Sequence, residues 1–300
     1  MKKSKKIIII ISLSLIAIGL VTSFIGLVAM NFDITKINDV TYSDETYSVN
    51  EEFSNVYISS IGGEIKLLRS DDALCKVLVN ENSKISCSVR TEDDTLHIDL
   101  RDNRKWYEHI SFFGFDNDIA VYLPQEAYDA LHIETASSDI EVSQELSFAS
   151  AEISTMSGEV DVQASISDNI SINTTSGDIS VENSFATEVT LKSVSGEING
   201  EKINCKNIST KNTSGEIELK NVVAEYQMNG ESVSGSIFLD NCDADYLKFS
   251  TTSGDVRGQL LTSKTFITDT TSGDVNVPRS IGNGTCEIKT TSGDIYFANN

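Results

Sequence analysis

The chain has 300 residues, with 23 Lys+Arg against 45 Asp+Glu and a formal net charge of −22 at pH 7. A surface that acidic repels phosphate backbones, which argues against a nucleic-acid partner. Two prolines, 18 glycines and a 39% hydrophobic content exclude collagen-like, proline-rich and wholly disordered chains.

Residues 1–6 form a basic tail with Lys2, Lys3, Lys5 and Lys6, and residues 7–30 follow as 24 positions without a charge. As an α-helix this run would reach roughly 36 Å, enough to span a bilayer. A cleaved signal is the alternative, but its apolar region usually runs only about 7–15 residues. Lysines precede the run, while Asp33, Asp39, Asp44 and Glu45 follow it. That asymmetry predicts a single-pass anchor with the N-terminus cytoplasmic and the remaining chain extracytoplasmic. Residues 31–51 are polar and aperiodic and read as a spacer.

Residues 52–129 read as a first coil and an N-terminal β cap. Val56, Ile58, Ile65 and Leu67 alternate about Gly63. Residues 75–79 and 85–89 read as a hairpin, with 96–100 and 119–123 as further strands. A register centred on Glu81 would set Cys75 opposite Cys87 and allow a disulfide outside the cytoplasm. Trp106, Phe112, Phe113 and Phe115 cluster in one segment. They are expected to pack as the cap's core, with a partner or membrane surface as the alternative.

From residue 130 to 300 the chain repeats. Gly158, Gly177, Gly196, Gly215, Gly235, Gly254, Gly273 and Gly293 follow one another at intervals of 19 or 20, each preceded by Ser. A degenerate copy, Ser137-Ser-Asp-Ile, stands ahead of them. A fixed period of this length marks stacked repeats. Apolar residues alternate with period two on both sides of each glycine, and the inward parity switches across it. Each repeat is therefore two short strands joined at a corner, where glycine relieves strain. The constant coil length favours a parallel β-solenoid over an antiparallel meander. It would also stack Thr155, Thr174, Ser193, Ser232, Thr251, Thr270 and Thr290 into a hydroxyl ladder. The C-terminal Tyr296-Phe297 strand would then close the stack without a cover, as an edge open to another chain.

The pattern resembles a bacterial β-strand-repeat family catalogued as candidate adhesins, a family without an assigned biochemical activity. The Thr-Ser-Gly-Asp-Ile repeats, the Gly63 coil and Val121-Tyr-Leu-Pro124 carry the resemblance over residues 52–300. It implies an all-β solenoid used as a surface-binding module, with no catalytic residues to transfer.

The acidic residue after each glycine is Glu159, Asp178, Glu197, Glu216, Asp255, Asp274 or Asp294, interrupted by Ser236. A Ca²⁺-binding column is one reading, but the glycine-rich nonapeptide of calcium-binding β-rolls is missing. Acceptance of hydrogen bonds from turn amides explains the same spacing. Catalysis needs two carboxylates in different environments, whereas repeated positions are alike. The three histidines, His97, His109 and His132, form no metal-ligand spacing with the cysteines, and His132 reads as part of a solvated strand face. No catalytic residue and no cofactor is expected. The expected function is binding or scaffolding at the bacterial cell envelope, through an envelope or surface polymer. Contact with a neighbouring membrane protein in envelope regulation is the alternative, and polysaccharide processing a weaker third.

Overall fold

The computed structural model describes residues 12, 14–16, 18–25, 28, 42–82, 84–103, 117–279 and 281–298. Two units are distinguished: residues 1–41 with 105–114, and residues 42–104 with 115–300. The described residues of the first unit are helical, including an unbroken 18–25. Leu20, Val21, Phe24 and Ile25 on it are exposed. The expected anchor at 7–30 lies partly outside the described residues. Among those described, no helix is long and apolar enough to cross a membrane.

The second unit is all-β, and its strands join in one hydrogen-bonded sheet. The expected spacer contains a strand, β1 (Tyr42–Val49), antiparallel to β4 (Cys75–Asn82) from Tyr42↔Asn82 to Val49↔Cys75. Among the described side chains of β1, Tyr47 and Val49 pack on the core. An edge strand needs little apolar surface, which is why hydropathy periodicity misses it.

The strands β2 (Asn55–Ser60) and β3 (Gly63–Arg69) make the first coil. The expected 75–79/85–89 hairpin is not formed: β4 and β5 (Ile85–Glu92) share the single pair Asn82↔Ile85. Instead β5 pairs along its length with β6 (Thr95–Asp102), from Ile85↔Asp102 to Glu92↔Thr95. Asp93 and Asp94 turn this hairpin with φ of 47° and 62°, the left-handed pair that a two-residue loop requires. β6 then stacks parallel on β2, and β7 (Ile119–Leu123) parallel on β3. β8 (Ala127–Val142) stacks on the other side of both. The first coil in sequence is thus enclosed between two later ones.

Two parallel ladders continue from β8. One contains β9 (Ser147–Ser157), β11 (Ser165–Ser176), β13 (Phe185–Lys192), β15 (Asn204–Lys211), β17 (Val223–Glu231) and β19 (Tyr246–Thr251). The other contains β10 (Val160–Val162), β12 (Ile179–Glu182), β14 (Ile198–Glu201), β16 (Ile217–Lys220), β18 (Ile237–Cys242) and β20 (Val256–Leu260). Equivalent residues lie directly over one another, as in Ile153↔Ile172↔Leu191↔Thr210 and Val160↔Ile179↔Ile198↔Ile217. This is the parallel solenoid, and the meander is excluded. The inward aliphatic residues are buried: Ile153, Ile172, Val181, Leu191 and Ile217 are all 0% exposed. Where an inward position is Gly, a neighbour fills it. A Cβ on Gly230 would stand 2.7 Å from the Phe249 ring.

Glycine relieves strain at Gly63, Gly158 and Gly215, whose φ values are 86°, 116° and 150°, and the corner glycines serve a second purpose as well. A Cβ on Gly196 would stand 2.0 Å from the carbonyl oxygen of Gly177, and one on Gly177 equally close to that of Gly158. Each of these corners rests on the backbone of the corner stacked beside it, and any side chain would separate the rungs. The second corner of the coil, after the short strand, bends through Asn183, Lys202, Asn221 and Asn241 with φ of 54°, 53°, 52° and 54°. Asn tolerates this left-handed bend better than most residues.

At the C-terminal end the rungs are out of sequence order. β23 (Thr285–Ser292) pairs with β19 on one side and with β21 (Thr265–Ser272) on the other. β24 (Ile295–Phe297) likewise lies between β20 and β22 (Val275–Asn276). The later repeat is inserted, and the earlier one is the outermost rung. Tyr296-Phe297 is therefore not the open edge, and Phe297 is buried against Phe266, with ring centroids 5.2 Å apart. Lys264, 4% exposed, ties the crossover by a 2.6 Å ion pair to Asp243 and a bond to the Asn283 carbonyl.

Candidate functional site: the acidic corner face

The carboxylates beside the corners act first on the backbone. Asp178 Oδ1 accepts the Glu197 amide at 2.7 Å, Asp255 Oδ1 the Asp294 amide at 2.8 Å, and Asp294 Oδ1 the Asp274 amide at 2.9 Å. Asp139 receives the Glu159 amide and Asp118 the Glu64 amide, both at 2.9 Å. Ser236 Oγ does the same for Asp255 at 3.2 Å. A short side chain can reach the adjacent rung, and Glu is one methylene too long to do so in the same geometry. Asp118 and Asp139 were outside the sequence column because no glycine precedes them. Their shared signal is the Asp-Ile step, as at Asp178-Ile179.

The Thr and Ser side chains inside the corner do not form the expected hydroxyl ladder. Several donate to turn carbonyls instead: Ser193 to Gly177 at 3.2 Å, Thr251 to Gly235 at 3.0 Å and Thr155 to Ser157 at 2.7 Å, whereas the Thr174 and Ser232 hydroxyls are buried without a partner among the described residues. Asn212 donates to the Gly196 carbonyl at 2.5 Å. A carbonyl left unpaired at a buried corner would cost more than a hydroxyl pair gains.

With the Asp side chains committed, the face they border carries a dense negative charge. Glu64, Asp139, Ile140, Glu141, Glu159 and Asp161 line an open groove of about 220 Å³. A second, of about 270 Å³, is lined by Ser180, Glu182, Glu197, Asn199, Gly200, Glu201, Glu218 and Lys220. Glu216 beside it is held above the usual carboxylate range by burial, then by the charges of Glu197 and Glu218. Among the described residues no group of three or more His, Cys, Asp or Glu is placed to hold a metal ion. Toward the C-terminal end the face changes character. Phe238, Arg257 and Tyr296 stand in register there, and Arg257 binds Asp255 at 2.5 Å.

His97 and His132 form a separate outer row, and His109 lies outside the described residues. Arg90↔His97↔Tyr57↔His132↔Glu152 are consecutive partners across five strands. The Tyr57 ring lies 5.1 Å from His132 and 5.4 Å from His97. His132 Nε2 meets Glu134 at 3.0 Å, and its Nδ1 meets Glu152 at 3.3 Å. The Tyr57 and His132 rings are stacked at an interplanar angle of 10°, whereas the His97 ring is tilted by 49° from Tyr57.

The structure does not bring Cys75 and Cys87 together. Cys75 lies opposite Val49, Cys87 lies opposite Leu100, and both are free thiols. Trp106, Phe112, Phe113 and Phe115 lie outside the described residues.

These features define a class, a parallel β-solenoid with glycine-stacked corners and an acidic outer face. The chain belongs to the Toastrack DUF4097 family, whose model matches residues 53–222 and 187–299. It is similar to a candidate adhesin from Parabacteroides merdae at 13% identity, covering 86% of this chain and 97% of that one, with a TM-score of 0.52. A candidate adhesin from Bacteroides fragilis has 12% identity, the same two coverages and a TM-score of 0.47. A candidate lipid-binding protein from Parabacteroides distasonis has 17% identity, again with coverages of 86% and 97%, and a TM-score of 0.44. No curated protein matches the chain. At these identities the likeness is one of fold.

Proposed function

We propose that this chain is a non-enzymatic binding protein of the bacterial envelope, anchored by residues 7–30 with residues 42–300 carried outside the membrane. Its acidic corner face engages a cationic or cation-bridged surface polymer. One observation carries this reading: equivalent carboxylates recur rung after rung along one face, bordering the two acidic grooves. Repeated weak sites on a rigid stack gain through avidity what each lacks alone. The candidate adhesins among its structural relatives support a binding role, and the exposed apolar helix at 18–25 supports the anchor.

A repeated site makes a graded prediction. Binding of the full chain to immobilised polylysine should weaken stepwise as Glu141, Glu159, Glu182, Glu201 and Glu218 are changed to Gln cumulatively, and should fall with salt. Loss of all binding at one single substitution would replace this reading with a discrete site. Full binding in the quintuple variant would remove the acidic face from consideration.

A further inference from the structure

The two ends of the solenoid are finished differently. At one end β6 is covered by antiparallel β5, β7 by β4, and β4 in turn by β1. At the other, β21 pairs only with β23, and β22 only with β24, among the described residues. The inward residues of this last rung are correspondingly incomplete. Phe266, Thr268 and Thr270 are half-buried, whereas Cys286, Ile288 and Thr290 one rung inward are 0%, 0% and 1% exposed. Val275 is 44% exposed where its neighbour Ile295 is 1%. Ile267, 56% exposed, occupies an outward position held by Glu287, Lys248 and Asn229 on the preceding strands. Asp274 occupies the position from which Asp255 and Asp294 each accept the next rung's amide, and among the described residues no rung follows it.

We propose that this end is a self-association surface, covered by the same end of a second copy. A lone partner strand would satisfy one ladder and leave the other ladder and the core between them open. Only a solenoid end of matching cross-section covers both ladders at once. A head-to-tail copy is blocked by β5, β4 and β1, so the contact is two-fold and closes as a dimer without growing into a fibre. The register that suits the side chains pairs the β21 strands antiparallel about Ile267. It sets Ile267 against Ile267 of the second copy and Phe266 against Thr268. It also places each Asp269 opposite a Thr265, away from the other acid. The rung and its connecting loop span about twenty residues, within the usual 20–30 per side of a stable interface. Because both copies are acidic, the association should strengthen with added salt. The inference extends the binding role but does not depend on the acidic face.

The test is sedimentation equilibrium of the full chain in density-matched detergent. The expected result is a dimer, with Ile267→Lys and Val275→Lys each weakening it about tenfold or more, or about 1.4 kcal/mol, while the thermal melt is unchanged. Ile267→Cys should crosslink the dimer under mild oxidation, and Lys248→Cys on an internal rung should not. A chain that stays monomeric to about 100 μM, where an interface of ordinary size would be populated, overturns the proposal. So does a dimer indifferent to both lysine variants. In a monomer, strong hydrogen-exchange protection of residues 265–276 would identify cover from the chain's own remaining segments. Because polylysine binding is read separately, either idea can fail without the other.

Discussion

Asp294 accepts the backbone amide of Asp274, a residue twenty positions earlier in the chain, and gives its own amide to Asp255, thirty-nine positions earlier. The corner hydrogen bonds therefore run 255, 294, 274, in spatial order.

That order makes a direct chemical prediction. Lys248→Cys with Glu287→Cys should form a disulfide under mild oxidation, since these residues are lateral partners. Lys248→Cys with Ile267→Cys should not, because β23 lies between them. Sequential stacking would reverse the two results.

The corner bond itself predicts an isosteric rescue. Asp294→Ala removes the acceptor for the Asp274 amide and should cost about 1 kcal/mol in urea unfolding. Asp294→Asn keeps an oxygen in place and should recover most of that. Equal losses in both variants would assign the effect to charge.

Glycines at the corner and on the inward face should differ in cost. Gly196→Ala drives a methyl into the Gly177 carbonyl, a backbone atom that cannot withdraw without parting two rungs. A loss of about 3 kcal/mol is expected. Gly200→Ala meets the end of the Leu219 side chain at 2.9 Å, which can turn aside, and should cost about 1 kcal/mol. Comparable melting temperatures for the two would refute the stacking role.

The cysteines predict a pH dependence. Burial raises Cys75, Cys87, Cys205, Cys242 and Cys286 from 9.0 to about 12. Above pH 9 the unfolded chain releases these protons while the folded chain retains them. The folded state then binds more protons, so stability falls as pH rises from about 9 toward 12. At pH 8 the native thiols should resist alkylation, and all five should react in denaturant. Rapid native labelling of Cys75, Cys205, Cys242 or Cys286 would contradict their burial.

Much of this architecture is legible in the residues. The parity switch across each Ser-Gly step encodes two ladders and a corner, and the constant period encodes parallel register. Rung order is not encoded, because Thr270-Thr-Ser-Gly-Asp274 and Thr290-Thr-Ser-Gly-Asp294 are the same five residues and stack equally well on Thr251 and its neighbours. The available signals are indirect: a long connection at 277–284, an apolar Ile267 facing outward, and a lysine, Lys264, where a coil turns. The cap is less legible still. A two-residue Asp93-Asp94 hairpin carries no glycine, and β1 buries too little to show a period. The acidic face was visible as a column of residues after glycine. Its division into Asp that bind amides and Glu that border the grooves depends on reach, which spacing alone does not convey.

The inserted rung has a consequence for how the chain is made. The repeat at 285–297 leaves the ribosome after the repeat at 265–276, yet it must seat first for the earlier one to find its place. A solenoid of this kind could otherwise grow by adding each coil as it emerges. Here the final two coils are withheld from one-by-one growth, and the outermost rung can lock only when the following repeat has been synthesised. A nascent chain halted between residues 277 and 284 would present β21 and β22 to a vacant β19 and β20, inviting a misplaced rung that the completed chain must later displace.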